Sequence, residues 1–396
     1  MPRGVDKRKF NAFKKCYNPT VFAAAGKRYR QLAREADAMH TDERVKRIAE
    51  IFSYFHNPDK ETVLTPWRVV NMHMSDCLGG YCFYNERFDG PNQKEVVGTN
   101  GKLFDWIDTT EPRFVNRGKV TADVFGSKDC KILEINSKTG LYPLYVTYSL
   151  YRSRMKDFVE AGLIEDIENY SVEEEQVVWD DILRDNIFVI CNTRMAASIT
   201  RRTLCGFREM QEGYTNIKNT KLIERATNER DALVKEISRL SYWKKGAKTK
   251  DMIKFSAVVG NPPYQDNQST NNCTTNKAFA SAVYPTFIDL STSLKPQVVS
   301  LITPSRWMTN TGQGIDSDWV DKMINSNHFI KIHDFYDALD CFNGVEIKGG
   351  VNYFLYSGDH NGKCELVLHH NKKITCICEK LNGHGAGIVI RDAHAI

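Results

Sequence analysis

A short, rigid turn at residues 261–264, NPPY, combines groups that could recognise a planar amine. Pro262 and Pro263 lack a backbone N–H and fix two φ angles, so the carbonyl groups of this turn are rigid acceptors. The Asn261 side chain adds an amide oxygen, and two acceptors at a fixed separation suit an NH2 group. Tyr264 supplies a flat ring for stacking. A structural turn around a buried asparagine is the alternative, but the coincidence of these features directly after an apolar run favours chemistry.

A second polar loop, LEINSKTG at residues 133–140, also follows an apolar run. Glu134 lies near the end of that run, and Gly140 begins the segment after it, where only glycine lets the backbone approach a ligand closely. The loop has neither the Gly-Lys-Ser/Thr ending of a P-loop nor a G-x-G-x-x-G dinucleotide fingerprint. It therefore indicates a nucleoside-sized pocket without a phosphate cradle, with an ordinary strand-to-helix turn as the alternative.

Both loops follow strand-like runs that alternate with helical segments along the chain. The alternation predicts an α/β fold in which helices cover a mainly parallel sheet. In such sheets, ligands bind beyond the carboxyl ends of the strands, where the strand order reverses. The two loops are expected to lie there. The runs are residues 131–136, 186–191, 255–260 and 297–304.

Length and composition set broad limits on the fold and on the partners. The 396 residues suggest two or three domains, and a net charge of +5 permits a polyanionic partner without requiring one. Lysine and arginine are concentrated in residues 1–35. That segment is either the solvated face of a helix or an arm that contacts phosphates.

The eleven cysteines do not have the paired spacing of a zinc site or of a disulfide framework. This pattern predicts reduced thiols in a cytoplasmic protein. No metal site is predicted. No apolar run approaches the roughly 20 residues needed to span a membrane, so no membrane partner is expected.

These motifs together resemble those of the N6-adenine DNA methyltransferases that use S-adenosylmethionine, in the gamma-type motif order. The resemblance covers roughly residues 50–360 and is closest to methylase subunits or fused enzymes of restriction–modification systems. The segments that carry it are NPPY (261–264, motif IV), LEINSKTG (133–140, motif I), VLTPWRVVNMHM (63–74, motif X) and LDCFNGVEIKGGVNYFLY (339–356, motif VIII).

The resemblance implies roles for particular residues. The catalytic turn would be Asn261, Pro262, Pro263 and Tyr264, and the residues that stack on the target base would be Tyr264 and Phe342. The S-adenosylmethionine pocket would be formed by Thr65, Pro66, Glu134, Asn136, Gly140 and Asn192. Asn192 stands where motif II of the family has an acid for the ribose hydroxyls, so it departs from the family pattern.

The implied fold is a Rossmann-like methyltransferase sheet with flanking helices, preceded by a helical N-terminal region. The predicted domains are a basic helical region at 1–60, a catalytic domain at 61–360, and the start of a truncated C-terminal or target-recognition region at 361–396. The implied reaction transfers a methyl group from S-adenosylmethionine to the N6 amine of a flipped adenine in double-stranded DNA. A restriction or specificity subunit, or a missing C-terminal domain, would be a further partner.

Two alternatives remain open from the sequence. The NPPY chemistry also suits methyl transfer to an adenine of RNA or to a glutamine of a protein. The altered motifs I and II also fit a catalytically inactive, truncated subunit that binds nucleic acid.

Overall fold

The computed structural model describes residues 18–55, 64–83, 93–98, 101–106, 114–115, 124–165, 169–208, 216–265, 281–312, 314–342, 347–371 and 373–391. Residues 1–35 contain ten lysine and arginine residues, and six of these lie outside the described residues, as do the boundaries of the predicted N-terminal domain. Among the described residues, no helix is long and apolar enough to cross a membrane.

The described residues before the main sheet include the helices α1 (Pro19–Ala36), α2 (Thr41–Ser53) and α3 (Trp67–Cys77). The Asn18 side chain caps α1 by accepting hydrogen bonds from two backbone N–H groups of its first turn. Glu175 accepts a 2.6 Å hydrogen bond from the backbone N–H of Thr41, and Arg44 donates to the carbonyls of Thr203 and Leu204. The N-terminal helices are thus tied to the body of the protein.

Among the described residues, four short strands follow α3. They form two small antiparallel pairs. Only the backbone of these strands is described. The pairs are β1 (Cys82–Phe83) with β4 (Phe114–Val115), and β2 (Gln93–Gly98) with β3 (Gly101–Trp106).

In the described part of the chain, nine strands form the main sheet, in the order β13-β12-β10-β11-β9-β8-β5-β6-β7. The five strands from β9 to β7 are parallel to one another, whereas β11 is antiparallel to both of its neighbours. Their bounds are β5 (Ile132–Ile135), β6 (Ile187–Cys191), β7 (Ile217–Asn219), β8 (Ala257–Gly260), β9 (Val298–Pro304), β10 (Phe329–Phe335), β11 (Val351–Tyr356), β12 (Cys364–His370) and β13 (Lys373–Glu379).

Strand β5 is the point at which the strand order reverses. The chain passes from β5 to β6 and β7 on one side, and then crosses to β8 and β9 on the other. Ligands bind at such switch points in open α/β sheets. The loops after β5 and β8, which contain the two sequence motifs, leave the sheet at this place.

Helices cover both faces of the sheet and produce two buried apolar clusters. One cluster contains Tyr145 and Trp179, and the other contains Trp243 and Phe287. The predicted α/β fold with flanking helices and N-terminal helices is confirmed. The remaining helices are α4 (Leu141–Glu160), α5 (Val172–Asn186), α6 (Arg194–Cys205), α7 (Leu222–Asn228), α8 (Arg230–Ile237), α9 (Leu240–Trp243), α10 (Tyr284–Ser293) and α11 (Ser317–Asn325).

Strands β12 and β13 extend the same sheet beyond β10. Arg391, near the end of the described chain, forms a 2.6 Å ion pair with Asp334 of β10, whose side chain is fully buried. Strands β12 and β13 therefore belong to the main sheet, and Arg391 contacts it. The predicted domain boundaries, and the assignment of this segment to target recognition, remain predictions.

Candidate active site

The NPPY turn begins directly after β8 and lies against the loop that follows β5. Gly260, the last residue of β8, has φ +145°, and a Cβ atom there would lie 2.6 Å from the carbonyl oxygen of Ile135. A side chain at this position would force the two loops apart. The backbone of the turn can therefore approach the switch point only because residue 260 is a glycine.

Two other segments hold Asn261 in place. Its Nδ2 donates a 2.9 Å hydrogen bond to Oγ1 of Thr65, which directly precedes Pro66 and helix α3. Its backbone carbonyl accepts a 3.1 Å hydrogen bond from Nδ2 of Asn136, in the loop after β5. The Asn261 side chain is 4% exposed, and its Oδ1 has no hydrogen-bond partner in the part of the chain that the structure describes. A buried acceptor is thus held beside the switch point without a partner.

The other residues of the turn differ in their exposure to solvent. Pro262 is buried, whereas Pro263 and Tyr264 are partly exposed. Burial raises the pKa of Tyr264 well above its ordinary value, and the nearby Cys341 raises it further. Asn261 lowers that pKa, although the Tyr264 hydroxyl has no hydrogen bond of ordinary geometry among the described residues. The hydroxyl end is therefore buried while part of the residue faces solvent.

Glu134 is a buried acid at the switch point. It is 4% exposed, and its Oε2 has no hydrogen-bond partner among the described residues. Burial raises its pKa from 4.5 to about 8, against smaller lowering effects of the Ser137 hydroxyl and of Lys138. Such a carboxyl group binds its proton up to mildly alkaline pH unless a cationic ligand stabilises the charged form.

The loop after β5 is shaped by two residues in the left-handed region. Asn136 has φ +64° and Gly140 has φ +81°. Asparagine tolerates this conformation better than most residues. A Cβ at Gly140 would lie 3.0 Å from the Cα of Thr200 in α6. The glycine is therefore required by the packing of α4 against α6, and its predicted approach to a ligand remains a prediction.

Ser137 is a residue of this loop that sequence reasoning missed. Its Oγ lies 2.9 Å from Oγ1 of Thr200, and its backbone N–H donates to the carbonyl of Ile190 at the end of β6. These contacts fix the loop against two neighbouring elements. A serine in a polar loop gives no distinguishing sequence signal, so the contact could not have been predicted.

The remaining predicted cofactor residues lie around the same edge. Thr65 is buried against the NPPY turn, while Pro66 is exposed and its carbonyl accepts from the N–H groups of Val69 and Val70. Asn192, just after β6, is partly exposed, and its Oδ1 accepts a 3.3 Å hydrogen bond from the backbone N–H of Ile223 in α7. That oxygen therefore supports the start of α7, and the amide group offers N–H donors to a ligand.

Phe342 is not accessible in this structure. Its side chain is 1% exposed and packs in the same apolar cluster as Tyr145. Its backbone N–H donates a 2.7 Å hydrogen bond to the carbonyl of Ala338. Stacking of this ring on a base stays a prediction, and it would require the ring to leave the core.

A buried polar network lies beneath the NPPY turn. His73 of α3 bonds through Nδ1 to the Tyr142 hydroxyl (2.8 Å) and through Nε2 to Oγ of Ser300 in β9 (2.9 Å). Burial, helped by His333, lowers the pKa of His73 to about 3, so the ring is neutral. Tyr264 contributes to the raised pKa of Tyr142. The network thus anchors α3, which follows Thr65, to the sheet.

The described residues contain no group of three or more His, Cys, Asp or Glu side chains that could hold a metal ion.

Residues 185–342 match the model of the Eco57I restriction-modification methylase family. The matched segment includes Asn192 and the whole NPPY turn, and it ends at Phe342. An adenine-specific methylase of Mycoplasma pneumoniae (strain ATCC 29342 / M129 / Subtype 1), described as uncharacterized, is 31% identical over 122 residues. That match covers 31% of this chain and 28% of the relative. The chain thus spans less than a third of the length of the curated relative it matches.

Solved structures of restriction–modification enzymes are also similar to this chain. The DNA complex of the ATP-dependent type ISP enzyme LlaBIII is 14% identical, with a TM-score of 0.43 over 83% of this chain and 21% of that one. The methyltransferase subunit of a type I system from Streptococcus thermophilus is 10% identical, with a TM-score of 0.37 over 70% and 53% of the two chains. With the family match and the methylase relative, the predicted resemblance to adenine-specific methyltransferases of restriction–modification systems is confirmed, whereas the gamma-type motif order remains a prediction.

Proposed function

We propose that this chain transfers a methyl group from S-adenosylmethionine to the N6 amine of adenine in double-stranded DNA, as part of a restriction–modification system. The observation that carries the proposal is Asn261, whose buried Oδ1 lacks a partner among the described residues directly after β8. An unsatisfied buried acceptor costs about 1–3 kcal/mol, so its presence next to the switch point calls for a ligand that donates a hydrogen.

The exocyclic amine of adenine is a poor nucleophile because its lone pair is delocalised into the ring. Oδ1 of Asn261 and the carbonyl oxygen of Pro262 would accept hydrogen bonds from the two N–H groups of this amine. These bonds would favour a pyramidal nitrogen with a localised lone pair. The two prolines keep the backbone rigid, and the hydrogen bonds to Thr65 and Asn136 fix the asparagine. Catalysis would then come from position and electrostatics, without a strong base.

A duplex hides the amine, so the adenine must rotate out of the helix at a cost of a few kcal/mol. Stacking on an aromatic ring returns about 1–3 kcal/mol per base. Tyr264 is suited to this role because it is partly exposed while its hydroxyl is buried. Phe342 would contribute only after leaving the core.

The residues at the switch point fit S-adenosylmethionine. Oε2 of Glu134 lacks a partner among the described residues, and a carboxylate in that state suits a cationic group such as the ammonium of the cofactor. The bound cofactor would supply an activated methyl group on a sulfonium, which is an excellent leaving group. Thr65 and Pro66 would line the methionine end, Asn136 and Gly140 would shape the pocket floor, and the Asn192 amide would donate to a ribose hydroxyl.

Glu134 also couples cofactor binding to pH. Because burial raises its pKa to about 8, the free protein holds this carboxyl group protonated at neutral pH. A cationic ligand would favour the ionised form and release the proton. Cofactor affinity is therefore expected to rise with pH until about pH 8.

DNA and further subunits are the proposed partners. On α1, the basic residues Lys27, Arg30 and Arg34 lie on one side of the helix around a surface cavity. They would suit phosphate contacts, which carry most non-specific affinity for DNA. A restriction or specificity subunit, or a further C-terminal region, would supply sequence recognition.

Methyl transfer from tritium-labelled S-adenosylmethionine tests the proposal. The acceptors are genomic DNA amplified in vitro, which carries no methylated adenine, a total RNA preparation and a protein extract. We expect label in the DNA alone, and mass spectrometry of its nucleosides should identify N6-methyldeoxyadenosine. Label confined to RNA or protein would instead establish one of the other methyltransferase activities. Cofactor and DNA binding without any transfer would indicate an inactive binding subunit.

A further inference from the structure

We propose that Thr65 is a positioning residue that fixes the orientation of the Asn261 amide, an inference that rests on the proposed function. The two side chains are 196 positions apart in sequence, and both are buried. Their 2.9 Å hydrogen bond joins the segment before α3 to the catalytic turn after β8. A residue predicted to line the cofactor pocket therefore acts on the group that would hold the target amine.

The argument depends on the two ends of an amide. The side chain of Asn261 has one acceptor oxygen and one donor nitrogen, and a half-turn about its last bond exchanges their positions. An exchanged amide would present N–H groups to the N–H groups of the adenine amine and would oppose the reaction. In the observed orientation the Thr65 hydroxyl accepts from Nδ2, and Oδ1 is left without a partner among the described residues. Because a half-turn of the amide must first break this bond, the bond holds the side chain in the productive orientation.

Neighbouring contacts make Thr65 a fixed reference point. The carbonyl of Pro66 accepts two N–H groups of the first turn of α3, and His73 ties α3 to β9 through Ser300. The backbone of Asn261 is held separately by Nδ2 of Asn136, at 3.1 Å. Rotation of the side-chain amide is therefore the motion that remains for Thr65 to restrict.

This role differs from a cofactor contact in what it predicts. A residue that only lines the cofactor pocket would change the affinity for S-adenosylmethionine when it is altered. A residue that orients Asn261 would lower the rate of methyl transfer at saturating cofactor while affinity stays near normal. The two effects are measured separately by calorimetry and by single-turnover kinetics.

The test compares Thr65→Val, which keeps the shape of threonine without its hydroxyl, with Thr65→Ser, which keeps the hydroxyl. Thr147→Val is the matched control, because this fully buried threonine donates to the carbonyl of Pro143 within α4. On in vitro amplified genomic DNA, we expect Thr65→Val to slow methyl transfer by about 10–100-fold, the range for a misplaced catalytic group. Thr65→Ser should restore the rate to within about threefold of wild type, and Thr147→Val should leave it unchanged.

A double variant shows whether the effect passes through Asn261. If it does, adding Thr65→Val to Asn261→Ala should slow the reaction by less than about threefold beyond Asn261→Ala alone. Circular dichroism and thermal unfolding establish that each variant is folded, with Thr65→Ala as a substitute if valine is not tolerated.

Three outcomes would overturn the positioning role. They are a Thr65→Val rate equal to wild type, a loss confined to cofactor affinity, and full additivity with Asn261→Ala. A wild-type protein that binds cofactor but methylates no adenine would instead refute the proposed function, and the role of Thr65 with it.

Discussion

Two buried carboxyl groups in the same sheet differ sharply in their surroundings. Asp334 of β10 is fully buried and forms an ion pair with Arg391 at 2.6 and 3.0 Å, and it accepts a 2.6 Å hydrogen bond from Ser305. Glu134 of β5 is almost as buried, but its Oε2 has no partner among the described residues. Burial raises the pKa of both groups, and only in Asp334 does an arginine oppose that shift.

The comparison separates a carboxylate that supports structure from one that is available to a ligand. The Arg391 guanidinium satisfies Asp334 and also donates to the carbonyl of Gly349, so it fastens the end of the described chain to the sheet. At Glu134 only the smaller effects of the Ser137 hydroxyl and of Lys138 oppose burial, and the described residues place no arginine in an ion pair with it. Burying a carboxyl group without a partner costs free energy, and such groups are found where a bound ligand supplies the missing partner. Glu134 lies at the switch point of the sheet, where ligands bind in this class of fold.

The largest effect on stability is expected at the satisfied pair. Arg391→Met removes the guanidinium and leaves Asp334 buried without its cation, and losing one partner of a buried pair costs about 3–5 kcal/mol. Denaturant unfolding at pH 7 measures the change. Adding Asp334→Asn should recover part of the loss, because no carboxyl group is then buried without its cation.

Lys380→Met is the matched control for Arg391→Met, since Lys380 is exposed. It should change the free energy of unfolding by less than about 0.5 kcal/mol. If Arg391→Met and this control had the same free energy of unfolding, the ion pair would not stabilise the end of the described chain. Asp334 and Glu134 would then not differ in the way described above.

A smaller effect on stability, which depends on pH, is expected at Glu134, whose Oε2 has no partner among the described residues. The pKa of Glu134 is about 8 in the folded protein against 4.5 in the unfolded chain, so the folded state binds the proton more tightly. The stability from this group is fully present below pH 4.5 and is lost as the pH rises through 8. Relative to Glu134→Gln, the wild type should lose roughly 2–4 kcal/mol between pH 5 and pH 9.

Glu134→Gln should have the opposite effect on ligand binding. The neutral amide cannot pair with a cation, so calorimetry should show weaker binding of S-adenosylmethionine together with loss of the rise in affinity towards pH 8. Equal affinity and equal pH dependence in wild type and variant would show that Glu134 does not face the cofactor.

The parallel half of the fold could be predicted from sequence because its strands are short apolar runs followed by polar loops. The runs at 131–136, 186–191, 255–260 and 297–304 all contain observed strands. The three-residue strand β7, which is followed by three short helices, is not among the runs predicted from the sequence. A strand of three residues is too short to give a period, and its pairing with β6 decides its structure.

The residue types of the site were predictable, but their contacts were not. The prolines and the asparagine of NPPY indicated rigid acceptors on chemical grounds alone. The bond from Asn261 to Thr65 joins distant parts of the chain, and no local pattern reports such a contact. The burial of Phe342 and the contact between Asn192 and Ile223 likewise depend on tertiary packing.

The most direct test of the central claim is single-turnover methyl transfer by Asn261→Ala and Asn261→Asp on adenine-containing DNA. If Oδ1 accepts an amine hydrogen as the nitrogen becomes pyramidal, Asn261→Ala should lower the rate about 10²–10³-fold, with little change in cofactor affinity. Asn261→Asp should be milder, because an acceptor oxygen remains. A rate for Asn261→Ala near that of wild type would contradict the account and reduce the NPPY turn to a structural feature.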